Sequence, residues 1–162
     1  MPKILVLFAG QPTPIVSAVA DGARGVRFSE VEIRRVNTAE SATTSDHHQT
    51  LAGADELMSY DGIVVAASDG GAVHPALGLL LEQAAVGAPR SAWQSKVGSA
   101  FMPTPGEQRP DVWPALGTLG DLGMLVIAPS GGGADEARAL GARVAQVVGW
   151  VTHARSHHQH AH

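Results

Sequence analysis

Four short apolar runs stand out along the chain: Ile4–Ala9 (ILVLFA), Val31–Val36 (VEIRRV), Ile63–Ala67 (IVVAA) and Met124–Ala128 (MLVIA). A weaker fifth lies at Val97–Met102 (VGSAFM). Turn residues bound them, among them Gly10, Asp61-Gly62 and Gly123. Length and β-branching predict strands. Apolarity that is continuous rather than alternating predicts burial on both faces, as in a parallel sheet. Helical spacing fills the intervals. Thr13-Pro14 supplies a helix cap and a first helical residue, and Ile15, Val16, Val19 and Ala20 then share one face, ending near Gly22. Ala54–Tyr60 reads as a short helix. Pro75 opens another, with Leu77, Leu80, Leu81 and Ala84 inward, and Trp113–Leu122 is a weaker one. In the last helix Asp135-Glu136 suit the positive end, and Ala137, Leu140, Val144, Val147, Val148 and Val151 recur at helical spacing. This helix is expected to run past Trp150 to about Arg155.

Strict β-α alternation of this kind predicts an α/β domain: a doubly wound, five-stranded parallel sheet with right-handed crossovers and helices on both faces. Residues 1–155 form that single domain. Residues 156–162 (SHHQHAH) are a histidine-rich tail, and Asn37–Thr50 is a polar loop. No internal repeat or interdomain linker is visible.

Composition excludes several chemistries. The chain of 162 residues has no cysteine, so disulfide frameworks, zinc fingers, iron–sulfur clusters and thiol catalysis are ruled out. The net charge of −4 leaves no basic footprint, and no nucleic-acid partner is expected. The apolar run after Lys3 is too short for a signal peptide, and nothing approaches a membrane span. A soluble, cytoplasmic protein without a membrane partner is the expectation.

In an open parallel sheet, ligands bind beyond the carboxyl ends of the strands, where strand order reverses. That points to the loops Gly10–Thr13, Ser68–His74 and Pro103–Pro110. The first enters a helix N-terminus, whose free N–H groups and dipole suit a phosphate.

Three stretches around these loops, KILVLFAGQPTPIVSAVADGA from Lys3, ELMSYDGIVVAA from Glu56 and LGDLGMLVIAPS from Leu119, resemble the flavodoxin-like NAD(P)H:quinone oxidoreductases of the WrbA type. The resemblance covers the sheet framework over most of the chain. It implies the strand order 2-1-3-4-5, FMN at the switch point, NAD(P)H as donor, a quinone-like acceptor and a homo-oligomer, with a dimer expected here. It assigns cofactor contacts to Gly10, Gln11, Thr13 and Ile15 in the first loop. Ser68, Asp69, Gly70 and Gly71 fall in the second loop, and Pro103, Thr104 and Gly106 in the third. No catalytic acid or base and no metal ligand is assigned, since FMN itself would carry the chemistry.

The loops depart from that family. Its first turn is rich in hydroxyls and glycine (T-x-T-G-x-T or S-x-x-G-x-I); here it reads Gly10-Gln11-Pro12-Thr13-Pro14-Ile15, keeping only Thr13 or, in the other register, Ile15. Pro12 and Pro14 have no N–H to offer a phosphate. The proline and aromatic of the second loop are absent, and Asp69 places an anion where a reduced flavin becomes anionic. The third loop keeps one glycine, and the family's long insertion near the last strand is missing, so FMN, if bound, is expected to be held weakly. The alternative is a divergent member that has lost FMN and binds another small ligand or a protein.

Other features have structural readings beside functional ones. Gly131–Gly133 precedes a helix, but no P-loop lysine follows, and a tight β-to-α connection is the better reading. Trp93, Trp113 and Trp150 suit core or interface roles better than flavin stacking. His74, just before Pro75, falls on the ligand side, where it could donate to a flavin carbonyl or take a proton. His47-His48 lie in another loop. His153 and His157 share a helical face, a two-nitrogen arrangement, yet a solvated tail that takes up metal loosely is the reading the sequence alone supports. A metal-buffering role through that tail is a third hypothesis.

Overall fold

The computed structural model describes residues 1–38, 48–104 and 111–159. Its strands are β1 (Lys3–Phe8), β2 (Glu30–Arg35), β3 (Gln49–Thr50), β4 (Gly62–Ala66), β5 (Val97–Phe101) and β6 (Leu125–Ile127). Its α-helices are α1 (Pro14–Arg24), α2 (Pro75–Gly87), α3 (Arg90–Trp93), α4 (Trp113–Leu122) and α5 (Ala134–Gln159). A 3₁₀ turn covers Ala54–Ser59, and a second covers Asp69–Gly71.

All strand pairs are parallel, in the order β3-β2-β1-β4-β5-β6. The expectation of five strands is therefore corrected to six. The five predicted strands lie in the expected order, which is 2-1-3-4-5 when β3 is left out of the count. The sixth, β3, extends the sheet beyond β2 and makes the full order 3-2-1-4-5-6. The sequence predicts a loop there because Gln49 and Thr50 are polar, and their pairing with Arg34 and Arg35 is a backbone matter that leaves no apolar signature. The switch point between β1 and β4 is the same under either count.

The alternation hidden inside the apolar runs divides the core. Leu5, Leu7, Ile63 and Val65 face the side covered by α2 and α4, where Leu77, Leu81, Leu116, Leu119 and Trp93 complete one cluster. Ile4, Val6, Phe8, Val64 and Ala66 face α1 and α5, against Val16, Val19, Leu140, Val144 and Val148. Trp93 is thus core, whereas Trp113 and Trp150 are 64% and 69% exposed. Helices α1 and α5 cross at backbone distance. A Cβ placed on Gly22 would lie 1.9 Å from the carbonyl oxygen of Arg138, and one on Gly141 would lie 1.9 Å from that of Val19.

Helix α5 continues to Gln159, past the predicted end at about Arg155. At about 1.5 Å per residue, its last turns reach beyond the apolar face that ends near Val151, and His153 to His158 are exposed. Among the described residues, no helix is long and apolar enough to cross a membrane.

The margins of the sheet differ in character. On the β2 side Glu30, Glu32 and Arg34 are partly exposed charges, and Lys3–Glu30 (3.6 Å) and Arg34–Glu32 (3.0 Å) are ion pairs. On the β6 side Leu125 and Val126 are exposed apolar residues.

Two polar ties fasten the crossover into β4. Lys96 is buried and its Nζ donates to the carbonyls of Met58 (3.0 Å) and Tyr60; burial pushes this ammonium below the ordinary lysine range. The Tyr60 hydroxyl donates to Glu32 Oε2 at 2.6 Å, and the Arg34 guanidinium donates to the same oxygen. The Tyr60 bond, ahead of Arg34, holds the Glu32 carboxyl below its ordinary range, while burial and the same bond push the Tyr60 phenol up to about 12.

Tyr60→Phe should cost about 1.5–3 kcal/mol at neutral pH, the range for a hydrogen bond to a charged group. Glu32's contribution is present above the ordinary carboxylate range and is lost as pH falls through its lowered folded value. Tyr60's is present below the ordinary phenol value and is lost as pH rises through about 12. Urea unfolding should therefore show a wide gap between wild type and variant near pH 7 that narrows near pH 3. A gap of equal size at both would show that the Glu32 charge is not what the hydroxyl stabilises.

Candidate functional site

The carboxyl ends of β1, β4 and β5 open onto one cleft of about 360 Å³, lined by Ala9, Gly10, Gln11, Ala66, Ala67, Ser68, His74, Met102, Pro103 and Thr104. That volume is in the range of small-molecule sites. Its position is the one the strand pattern indicated, and residues from all three predicted loops meet there. The floor is made by the last residues of the apolar runs, Ala9, Ala66, Ala67 and Met102. The sequence reading overlooked these as site residues because it counted them as strand. The signal was available: small residues where a run ends leave room for a flat ligand. A larger groove of about 460 Å³ lies at the opposite edge, between Pro2, the segment Val26–Ser29 and the C-terminal half of α5.

The first loop turns at Gly10, whose φ of 75° is a left-handed conformation that L side chains adopt only under strain. Thr13 then caps α1 by its backbone, and Pro14 begins the helix. The Thr13 hydroxyl makes no cap bond; it donates instead to the carbonyl oxygen of Pro103, tying the first loop to the third. Ile15 is buried against α5 and not in the cleft, and the Val16 N–H returns to the Thr13 carbonyl. The loop thus has the address of a phosphate site with few free donors: no N–H on Pro12 or Pro14, and a hydroxyl already engaged.

The second loop closes on itself. Ala67 and Val73 form an antiparallel bridge, the Ser68 N–H (2.8 Å) and hydroxyl (3.0 Å) both donate to the Ala72 carbonyl, and the Gly71 N–H donates to the Ser68 carbonyl. Asp69 begins the 3₁₀ turn between these bonds. Gly70 and Gly71 both have left-handed backbones, φ 76° and 77°, but for different surroundings. A Cβ on Gly70 would meet nothing within 4 Å, whereas one on Gly71 would lie 1.9 Å from the carbonyl oxygen of Asp111. Gly70 is exposed and Gly71 is buried under the segment leading to α4, and neither lines the cleft to which the resemblance assigned them.

His74 is the residue of this loop with a free polar group on the cleft. Its Nδ1 accepts the Ala76 N–H at 3.1 Å, capping α2. The proton of a neutral ring is therefore on Nε2, which makes the side chain a hydrogen-bond donor. In the third loop Pro103 and Thr104 line the cleft, and Gly106 lies outside the described residues.

The glycines before α5 serve a different purpose. A Cβ on Gly131 would lie 2.5 Å from Cγ of Glu136, and one on Gly133 would lie 3.1 Å from its Oε2. The Glu136 side chain folds back over Gly131–Gly133 at the positive end of α5, where a carboxylate is favourable. This is the tight connection expected from the sequence.

No protein-family model matches the chain, and no curated protein matches it in sequence. Solved structures do match in shape. A flavone reductase superposes with a TM-score of 0.64 at 15% identity over 93% of this chain; the chain spans 64% of that protein's length. Two-electron reduced flavodoxin from Megasphaera elsdenii gives 0.54 at 16% identity, covering 88% of this chain and 98% of the flavodoxin. The Trp repressor binding protein from Bacillus subtilis gives 0.52 at 9% identity, covering 87% and 99%. At these identities the likeness speaks to architecture: the chain has a flavodoxin-like α/β fold.

Proposed function

We propose that the chain is a flavodoxin-like FMN oxidoreductase that holds the flavin chiefly by its ring and weakly by its phosphate. The observation that carries this reading is the single cleft at the β1/β4 switch point, in which the three predicted loops and a small-residue floor converge. The ring end fits: Ala66 and Ala67 leave flat space, and His74 offers its Nε2 to a carbonyl. The phosphate end fits less well, for want of free donors in the Gly10–Ile15 loop.

FMN in that cleft would supply two-electron transfer, with NAD(P)H as donor and a quinone-like acceptor; the chain's own residues bind, orient and shield it. Gln11, Thr104 and the free backbone N–H groups of the first loop are the contacts proposed for the phosphate and its linker. A homodimer is the proposed assembly.

A second reading, a flavin-free binding module on the same scaffold, is favoured by the Thr13–Pro103 hydrogen bond, which closes the loop in which a phosphate would sit. The absorbance spectrum of the purified protein before and after addition of FMN separates the two. A red-shifted, saturable flavin spectrum with micromolar affinity, lost when His74→Leu and Ala67→Phe block the ring end, supports the first. Absence of any spectral change at millimolar FMN favours the second.

A further inference from the structure

We infer that the C-terminal end of α5 carries a two-imidazole clamp, His153 with His157, for a divalent first-row metal of square-planar preference, copper(II) or nickel(II). The two Nε2 atoms lie 3.0 Å apart, and the rings meet edge to face at 79° with centroids 4.4 Å apart. Without a metal the two nitrogens share a hydrogen bond, one ring donating to the other according to tautomer, and a metal ion would take the place of that shared proton. Two nitrogens 3.0 Å apart, each bonded at about 2.0–2.1 Å, subtend an angle of ~90° at a metal. This is the cis angle of square-planar or tetragonal coordination rather than the wider tetrahedral angle of zinc.

The setting supports a cation. Both side chains are exposed, so an ion in solution reaches them directly. They are four residues apart on one continuous helix, which fixes their spacing before any metal arrives. Arg155 is two residues from each histidine and, at that spacing, projects away from the face they share. Among the described residues no group of three or more metal-ligating side chains occurs, so the clamp is bidentate. The remaining coordination positions are open to water or to a donor from another molecule, which suits an exchangeable ion rather than a structural one.

The test uses the full chain, with copper(II) and nickel(II) as probes. Electron paramagnetic resonance of the copper form should show coupling to two imidazole nitrogens at one equivalent of metal. Calorimetric titration should give micromolar affinity. His153→Gln and His157→Gln should each weaken that binding at least tenfold. The combined variant His158→Gln, His160→Gln, His162→Gln should leave the first equivalent unchanged within twofold. Circular dichroism of each variant confirms that the fold is kept. Binding that follows the triple variant instead, or a spectrum with a single nitrogen, would show the generic affinity of a histidine-rich tail and overturn the clamp. So would absence of binding at 100 µM metal.

Discussion

Gly22→Ala and Gly141→Ala should each destabilise the protein by at least about 3 kcal/mol. Inserting methylenes into a packed core commonly costs 1–3 kcal/mol because side chains give way. Here the new methyl carbon would lie 1.9 Å from a backbone carbonyl oxygen, of Arg138 in one case and of Val19 in the other. Neither can rotate aside, so α1 and α5 must separate and give up the packing of Val19, Ala23, Leu140 and Val144. Against a total stability of about 5–15 kcal/mol, either variant should unfold at much lower urea. Both residues belong to one helix crossing, so the double variant should lose less than the sum. Gly149→Ala is the control. It lies in the same helix α5, a Cβ there meets nothing within 4 Å, and replacing a helical glycine should stabilise by about 0.5–1 kcal/mol. Equilibrium unfolding of the three variants therefore predicts two losses and one gain. A stability within 1 kcal/mol of wild type for Gly141→Ala would show that the two helices do not cross at this distance.

Replacing Pro12 by Ser and Pro14 by Gly should tighten FMN by roughly two to four powers of ten. Each change restores a backbone N–H at the positive end of α1, and a hydrogen bond to a charged group contributes about 1.5–3 kcal/mol. Two of them, at 1.4 kcal/mol per decade, give that range. The helix itself should tolerate the exchange. Its first N–H groups have no intrahelical partner in any case, and α1 is held by Ile15, Val16 and Val19 in the core. Titration of the double variant beside wild type measures the effect. Equal affinities would place the phosphate elsewhere. Nanomolar binding by the unaltered chain would show that other groups already supply the missing contacts.

The strands were legible because each carries a short apolar run: five runs became five strands, each within two residues of its expected ends. The expected burial on both faces holds for β1, β4 and β5 and not for β2 and β6, which lie towards the sheet margins and are partly exposed. Trp113–Leu122 and the start at Pro75 were legible for the same kind of local reason. What escaped the sequence depended on residues distant along the chain. The strand Gln49–Thr50 is defined by its neighbour Arg34–Arg35, not by its own side chains. The helix Arg90–Trp93 is a single turn, too short for a period. The position of the cleft at the β1/β4 switch point followed from the β-α order alone, but the state of its polar groups did not. Nothing in the sequence indicates that the Thr13 hydroxyl meets the carbonyl of a residue 90 positions later. Nor does it indicate that Gly71, unlike Gly70, lies under the backbone of Asp111.

The unlike margins of the sheet bear on how copies of this chain can meet. A ribbon that grows without limit by strand addition needs two receptive edges, one on each side of every copy. On the charged side β3 covers only Arg34 and Arg35, and an incoming strand beside the uncovered part of β2 would have to strip water from Glu30 and Glu32. The opposite side presents Leu125 and Val126, exposed and apolar, on a strand of three residues. The two sides therefore offer an incoming strand different surfaces, hydrated charges on one and exposed apolar side chains on the other.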